Sequence, residues 1–411
     1  MSTKPPMLST KEALASLLSA AQPVTATEVI PTIEATGRVL AQHLTSPLDV
    51  PGMDNTQMDG YAVRASDCVS GAAVLRVSQR IPAGHVGQPL AAGTAARIFT
   101  GALIPEGADA VVMQEQCRFD EATGQVTVNH TPASGEWVRR AGEDIRTGSI
   151  ILETGTRLRA QEIGLAASVG LADVSVFRKL RVAVFFTGDE LTMPGEALKP
   201  GAIYNSNRFV LRGLLQQLGC DVTDLGNVPD TLEATRKALR QAAHGHDLIV
   251  TSGGVSVGEE DHIKPAVEAE GRLNLWQIAI KPGKPLAFGQ VRRDNDASET
   301  FFVGLPGNPV SSFVTFLLFV RPFIHALQGA KPAPPRAYSM RADFVWTKPD
   351  RRNEYLRVRI NDAGGLELFP NQSSGVLTST VWGDGLVDNP PGQAIAVGDV
   401  VNFIPFTEFL H

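Results

Sequence analysis

Four turns rich in glycine and proline lie between Thr187 and Ser312, each directly after a short apolar run. VAVFF precedes TGDEL, DLIV precedes TSGGVSVGEED, QIAI precedes KPGKPLAFG, and FFVG precedes LPGNPVSS. Apolar runs of this kind, bounded by Gly or Pro, read as buried strands of a parallel sheet. The loops that follow such strands gather at one sheet edge, where open α/β sheets bind their ligands. Glycine lets the backbone approach an anion closely, and free N–H groups at a helix start attract negative charge. The chain is therefore expected to contain an α/β domain whose site holds something phosphorylated or otherwise anionic.

The chain has 411 residues, enough for two to four domains at roughly 100–200 residues each. A net charge of -6 argues against a nonspecific nucleic-acid binder, which would carry a basic face. An anionic ligand must then be met locally by Lys, Arg, backbone N–H groups or a metal. Cys68, Cys117 and Cys220 are scattered and odd in number, which suits reduced thiols in a cytoplasmic protein and neither a disulfide framework nor a zinc site. Ala13 to Ala21 follows Lys4 and Lys11, but Ser9 and Glu12 form a capping box and Ser16 and Ser19 interrupt the apolar face, so the segment reads as an amphipathic surface helix. No run approaches the ~18 consecutive apolar residues of a membrane span, and no membrane partner is expected.

From Ala72 to Ser175 short β-like runs alternate with Gly and Pro, the clearest being ARIF, AVVMQE, QVTVN and SIILE. From about Lys179 to Gln328 the pattern becomes strand, loop, helix, repeated, the mark of a doubly wound sheet. One helix starts at Asn205 and Ser206, carries Phe209, Val210, Leu214 and Leu218 on one face, and stops at Gly219. Another runs from Thr231 to Ala243, and a long apolar one runs from Pro309 to near Gly329. KPAPP, Lys331 to Pro335, is a stiff linker, after which RADFVW, YLRVRI, LELF and DVVNFIPF read as strands of a small β domain.

GLPGNPVSS is the most specific motif. Pro306 and Pro309 fix the loop, while Gly307, Asn308, Val310, Ser311 and Ser312 bring N–H donors to a helix start, a pocket for a small oxyanion. An ordinary strand-to-helix turn capped by Asn308 would look the same locally. SGGVSVGEED, with Ser252, Gly253, Gly254 and Ser256, has the glycine content of a phosphate or pterin cradle but matches neither GxGxxG nor GxxxxGK[ST]. At its end Asp261 can ligate Mg²⁺ or cap the helix that follows. Glu190 in TGDEL, Asp230 and Asp261 lie on three loops of one sheet edge, a hard-cation site if they converge, although any one alone is an ordinary solvated acid. Lys281 and Lys284 of KPGKP suit a pyrophosphate, and equally a solvated basic turn. In the N-terminal half MDGYA, TGALIPEGADAVV and RRAGEDI place Asp59, Thr100, Arg139, Arg140 and Asp144 in loops, which by itself assigns them nothing.

Taken together and in this order, MDGYA, TGALIPEGADAVV, GEDI, TGDEL, SGGVSVGEED, KPGKP and GLPGNPVS, with RRNEYLR and QSSGVLTS further on, resemble the molybdopterin molybdenumtransferase family, the MoeA proteins and the E domain of gephyrin. The resemblance runs from about Pro47 to Leu386. It implies an α/β plus β multidomain fold. Residues 1–50 and 145–178 would form a split dimerisation region, 51–144 an inserted β-rich domain, 179–329 a MogA-like doubly wound α/β domain, and 330–411 a C-terminal β barrel. It also implies the reaction, in which adenylylated molybdopterin and molybdate give molybdenum cofactor and AMP with Mg²⁺. The implied assembly is a homodimer whose site lies between subunits, and a MogA-like adenylyltransferase and molybdoenzymes are the implied partners. Glu190, Asp230 and Asp261 would hold Mg²⁺, with Asp59, Thr100 and Asp144 also catalytic. Ser252, Gly253, Gly254, Ser256, Lys281, Lys284, Pro306, Pro309, Ser311, Arg139, Arg352 and Ser374 would bind substrate.

Two positions depart from the family pattern. Gln277 stands four residues before Lys281 where a basic residue is expected, so an anion contact is lost or replaced. Val358 stands where Gly is common, a difference of packing. Adenylyl transfer to molybdopterin and a purely dimeric scaffold are the competing readings; the domains flanking the α/β unit weigh against the first, and the lack of a long linker or second α/β domain against the second.

Overall fold

A computed structural model describes residues 7–69, 71–254, 262–293 and 298–409. In the N-terminal half the chain goes out and comes back along nested antiparallel pairs. Thr27–Pro31 pairs with Asp173–Phe177, Leu44–Thr45 with Ile150–Leu152, and Asn55–Thr56 with Val138–Arg139. Between the innermost partners sits a six-stranded sheet built from Gly60–Val63 to Gln125–Val128, with its own core around Val63, Leu75, Ala95, Val112 and Val126. ARIF, AVVMQE and QVTVN belong to this sheet, whereas SIILE pairs outside it with Leu44–Thr45.

The α/β domain carries strands β1 (Arg181–Thr187), β2 (Asp221–Val228), β3 (Leu248–Ser252), β4 (Gly271–Gln277), β5 (Pro285–Arg292) and β6 (Glu299–Leu305), in the order β2-β1-β3-β6-β5-β4. Along β1, Val182, Val184 and Phe186 face one core while Ala183 and Phe185 face the other, which is why the run has no polar alternation. The expected all-parallel sheet is corrected: β5 runs antiparallel to both β6 and β4. KPGKP is therefore the turn between two antiparallel strands. It still lies at the same edge as the loops after β1, β3 and β6, because β4 runs in their direction.

Helix Ser206–Gln217 is capped by the Asn205 side chain, which accepts from the Arg208 N–H at 3.1 Å. Its buried stripe is Leu211, Leu214 and Leu215, continued by Leu218, while Phe209 is 55% exposed. The expected face was thus turned by part of a helical turn, since i, i+3, i+4, i+7 runs from Leu211 and not from Phe209. The helix Thr10–Ala20 has the expected Ser9–Glu12 capping box, but it is no mere surface element. Ala13 and Leu17 enter the same core as Val182 and Leu248, and the helix packs on the long helix 309–327. That long helix widens to a π-type turn at Phe316–Val320 just before Pro322. Proline offers no N–H and clashes with the carbonyl a turn earlier, so the ladder is rewound there. Its length and apolarity would suit a membrane span, yet 78% of it is buried within the protein.

The last domain pairs Asn353–Ile360 with Gly385–Asn389, that strand with Val400–Pro405, and that in turn with Tyr338–Arg341. Leu366–Leu368 adds to the free side of Asn353–Ile360, and a single parallel bridge from Ala342 to Leu366 closes the ring into a barrel. Strand Gly385–Asn389 was not anticipated, and RADFVW supplies only the end of a strand that begins at Tyr338. Val358 is fully buried in the barrel core, as a packing difference requires.

His325 of the long helix is 5% exposed and its Nε2 has no hydrogen-bond partner. Burial, reinforced by the cations Arg157 and Arg321, pushes its pKa down to about 3, against about 6.5 in an unfolded chain. A folded value below the unfolded one means that the contribution is complete above the unfolded pKa and is lost as pH falls through the interval between the two. Stability should therefore drop on acidification below about pH 6.5, by up to ~1.4 kcal/mol per pH unit from this ring. Thermal midpoints of wild type and His325→Leu across that interval check it; parallel curves would rule it out.

Candidate functional site

A cavity of about 720 Å³ opens at the carboxyl edge of β1, β3 and β6. Its walls include Thr187 at the end of β1 with Gly188 and Glu190 after it, Asp230 after β2, Ser252 at the end of β3 with Gly253 and Gly254 after it, Lys281 and Lys284 of the β4–β5 turn, and Pro306, Pro309 and Ser311 after β6. The barrel closes it with Arg352, Gln372, Ser373 and Ser374. All the described site residues expected in the α/β domain and barrel thus face one space. Asp261 and Ser256 lie outside the described residues.

The loops are held against one another by contacts the sequence did not announce. Asn207, on the first turn of its helix, donates from Nδ2 to Ser252 Oγ at 2.8 Å and to the Gly307 carbonyl at 2.8 Å, and Ser252 Oγ donates to the Pro306 carbonyl at 3.0 Å. One amide thereby ties the SGG loop to the LPGNP loop. A Cβ on Gly253 would sit 2.8 Å from the Thr187 carbonyl oxygen, and one on Gly283 would sit 2.3 Å from Thr315 Oγ1; both residues have positive φ, so only glycine brings these loops so close. The Glu190 carbonyl accepts from the Ile203 N–H at 2.8 Å, through which a two-residue ladder steadies the TGDEL turn. Thr187 is 4% exposed and its Oγ1 has no partner. A buried hydroxyl without a partner calls for an explanation, and on this cavity wall Thr187 is a candidate ligand contact that the acids of TGDEL overshadow in the sequence.

From the barrel, Arg352 donates from Nε and Nη2 to the two Asp350 oxygens at 2.9 and 2.7 Å. These bonds hold the Asp350 carboxyl well below the usual carboxylate range. Lys281 Nζ donates to Glu354 Oε1 at 3.0 Å. Buried Arg357 donates to the Tyr355 and Ser373 carbonyls, and Gln372 accepts from the Arg357 N–H at 2.9 Å. This anchors the loop whose Ser374 carbonyl accepts from the Val310 N–H at 3.0 Å. Val310 is thereby removed from the expected oxyanion donors. The Ser312 N–H is likewise committed to the Asn308 carbonyl. Asn308 does occupy the cap position, but without a side-chain capping bond.

Asp59, Thr100, Arg139 and Asp144 do not line this cavity within one chain. Asp59 Oδ1 accepts from the Thr100 N–H at 2.8 Å and its hydroxyl at 2.7 Å, which keeps the carboxyl below its ordinary range. Arg139 donates to Asn55 at 3.4 Å, and Asp144 is exposed. Gln277 is also absent from the cavity: it ends β4, and its carbonyl accepts from the Leu8 N–H at 2.9 Å.

Three family models match the chain: the MoeA N-terminal region (domain I and II) over residues 8–170, a probable molybdopterin binding domain over 183–326, and the MoeA C-terminal region (domain IV) over 339–406. A protein of Haemophilus influenzae named molybdopterin molybdenumtransferase is 40% identical, with 98% of this chain and 100% of that protein aligned. One of the same name from Nostoc sp. is 36% identical over 89% of this chain and 86% of that protein. The crystal structure of the molybdopterin biosynthesis MoeA protein from Pyrococcus horikoshii OT3 superposes with a TM-score of 0.83 at 27% identity, covering 97% of this chain and all of that one, 100%.

Replacing Asn207 by Ala should release the two loops from each other at a cost of about 1–2 kcal/mol, the worth of two partly buried hydrogen bonds. Hydrogen exchange at residues 252–254 and 305–308 reads this directly, and unchanged protection there would show that the amide is not the tie.

Proposed function

The chain belongs to the molybdopterin molybdenumtransferase family, and from that premise we propose that it inserts molybdate into adenylylated molybdopterin, releasing AMP and molybdenum cofactor. The observation that carries the reading is the meeting in one cavity of an acidic wall, Glu190 and Asp230, with a basic one, Lys281, Lys284 and Arg352. The substrates explain why both are needed. A pyrophosphate and a molybdate dianion repel each other, and each must be met by fixed positive charge or N–H groups before they can react.

The acidic wall fits Mg²⁺. Glu190 and Asp230 offer hard oxygen donors on one cavity. Mg²⁺ takes such carboxylate oxygens together with waters and substrate phosphates. Bound there, Mg²⁺ supplies a Lewis acid for the phosphoryl oxygens. Lys281 and Lys284 bind the pyrophosphate. Pro306, Pro309, Ser311, Arg352 and Ser374 seat the molybdate, and Ser252, Gly253 and Gly254 cradle the pterin side. In the order proposed, an oxygen of the seated molybdate attacks the adenylyl phosphorus and the phosphoanhydride bond breaks, leaving the phosphate on molybdopterin; the Mo–O bond to the attacking oxygen then breaks, so that this oxygen leaves on AMP while molybdenum passes to the dithiolene sulfurs, whose two thiol protons depart with a second molybdate oxygen as water.

The reading further includes a homodimer in which Asp59, Thr100, Arg139 and Asp144 reach the neighbour's cavity. It also includes delivery of substrate by a MogA-like adenylyltransferase, onward transfer to molybdoenzymes, and a cytoplasmic location, supported by the free cysteines Cys68, Cys117 and Cys220. The relative aligned over its full length, named for molybdenum transfer, favours this reading over adenylyl transfer.

Glu190→Gln should lower molybdate-dependent AMP release by about 100-fold or more with the thermal midpoint unchanged. Removal of divalent cations should silence the wild type reversibly. Steady AMP release without molybdate would overturn the proposed order. For the assembly, Asp59→Asn and Glu190→Gln variants, each inactive alone, should recover roughly a quarter of wild-type activity when subunits exchange at random. No recovery despite proven exchange would place Asp59 in the same subunit's chemistry.

A further inference from the structure

Glu354 is the buried carboxylate behind the basic wall. Its side chain is 1% exposed, and ionised groups are so buried only when fully partnered. Oε2 accepts from Trp346 Nε1 at 2.8 Å, from the Asp350 N–H at 3.1 Å and from Asn389 Nδ2 at 3.4 Å. Oε1 accepts from Lys281 Nζ at 3.0 Å, and the Asp350 carboxylate lies 3.7 Å from the same ammonium. Lys281 and Glu354 are also register partners in the short parallel ladder that joins the α/β domain to the barrel.

A lysine side chain is long, flexible and strongly hydrated, so left alone its ammonium samples many positions. Here one of its three N–H bonds is fixed by an acceptor that cannot itself move, and the side chain, 36% exposed, also lines the cavity. A barrel needing only to satisfy Trp346, Asn389 and the Asp350 amide would do so with any acceptor. A buried negative charge is called for by Lys281.

We propose that Glu354 is a positioning residue for the transfer reaction: from inside the barrel it fixes the Lys281 ammonium at the cavity wall, so that the cation meets the substrate's phosphates already oriented. The inference rests on the reading that Lys281 contacts an anionic substrate. Glu354→Gln isolates the effect, since the amide oxygen still serves Trp346 and the Asp350 N–H while the NH₂ group turns an unproductive donor toward Lys281.

The test is kcat/KM for molybdate-dependent AMP release from adenylylated molybdopterin, measured on the full chain for Glu354→Gln, Lys281→Met and the double variant, with thermal midpoints alongside. Glu354→Gln should cost about tenfold, as loosening a substrate clamp does. In the Lys281→Met background the same change should cost less than about twofold, because its target is gone. If the two losses multiply, or Glu354→Gln works at the wild-type rate, the inference fails while the anion-contact reading stands. If Lys281→Met works at the wild-type rate, both fall. Should Glu354→Gln not fold, Trp346→Phe removes one of the bonds that hold the carboxylate; a loss that disappears in the Lys281→Met background supports the proposal, and one that persists overturns it.

Discussion

A two-residue parallel ladder, Ile280–Lys281 against Asn353–Glu354, is the joint on which the site depends. It adds a piece of the α/β domain to the barrel as another strand, with the Asn353 N–H donating to the Ala279 carbonyl at 2.9 Å. Around it Tyr355, Leu386, Ile404 and Phe409 of the barrel share a core with Val182, Leu248 and Phe288 of the sheet and with Leu17 of the first helix. Three separated stretches of chain therefore bury one another. Moving the barrel away from the sheet edge would expose that apolar surface, a cost that opposes any widening of the cavity between them.

The packing of these walls matters because the chemistry is electrostatic. Positive groups aid a polyanionic reaction most when they need no reorganisation at the moment of reaction. Arg352 is clamped through two bonds to Asp350, and Lys281 is held by Glu354. The opposing carboxylates of Glu190 and Asp230 stand on loops of the sheet. Asp59 and Thr100 form a second prearranged pair, held together by their own hydrogen bonds in the inserted half of the chain. Arg352 and Lys281 are thus each held by a carboxylate that does not itself line the cavity, and Glu190 stands on a turn steadied by its own short ladder.

Much of this was legible in the residues. The apolar runs without alternation marked strands covered on both faces, and Gly and Pro marked the loops beyond them. The Ser9–Glu12 box and Asn205 marked helix starts that the structure bears out. The failures share a cause. Phe209 was placed on the buried face because hydrophobicity says that a residue prefers burial, not which way its helix is turned by what packs on it. Val310 was counted as a free donor because its acceptor, the Ser374 carbonyl, lies in another domain. Asn207 and Glu354 are single polar residues within ordinary helix and strand patterns, and nothing local distinguishes them.

Local composition by itself determined which segments become strands, where the backbone must turn tightly, and that the loops bear acids, lysines and glycines suited to a metal and anions. These follow from side-chain shape, backbone freedom and charge, which act over a few residues. The reversed direction of β5, the closing of the barrel by one bridge, the burial of the first helix, and the pairing of Lys281 with Glu354 and of Arg352 with Asp350 were decided only by tertiary structure. They depend on contacts between residues up to hundreds of positions apart, as from Leu17 to Phe409, and such contacts exist only once the chain has packed.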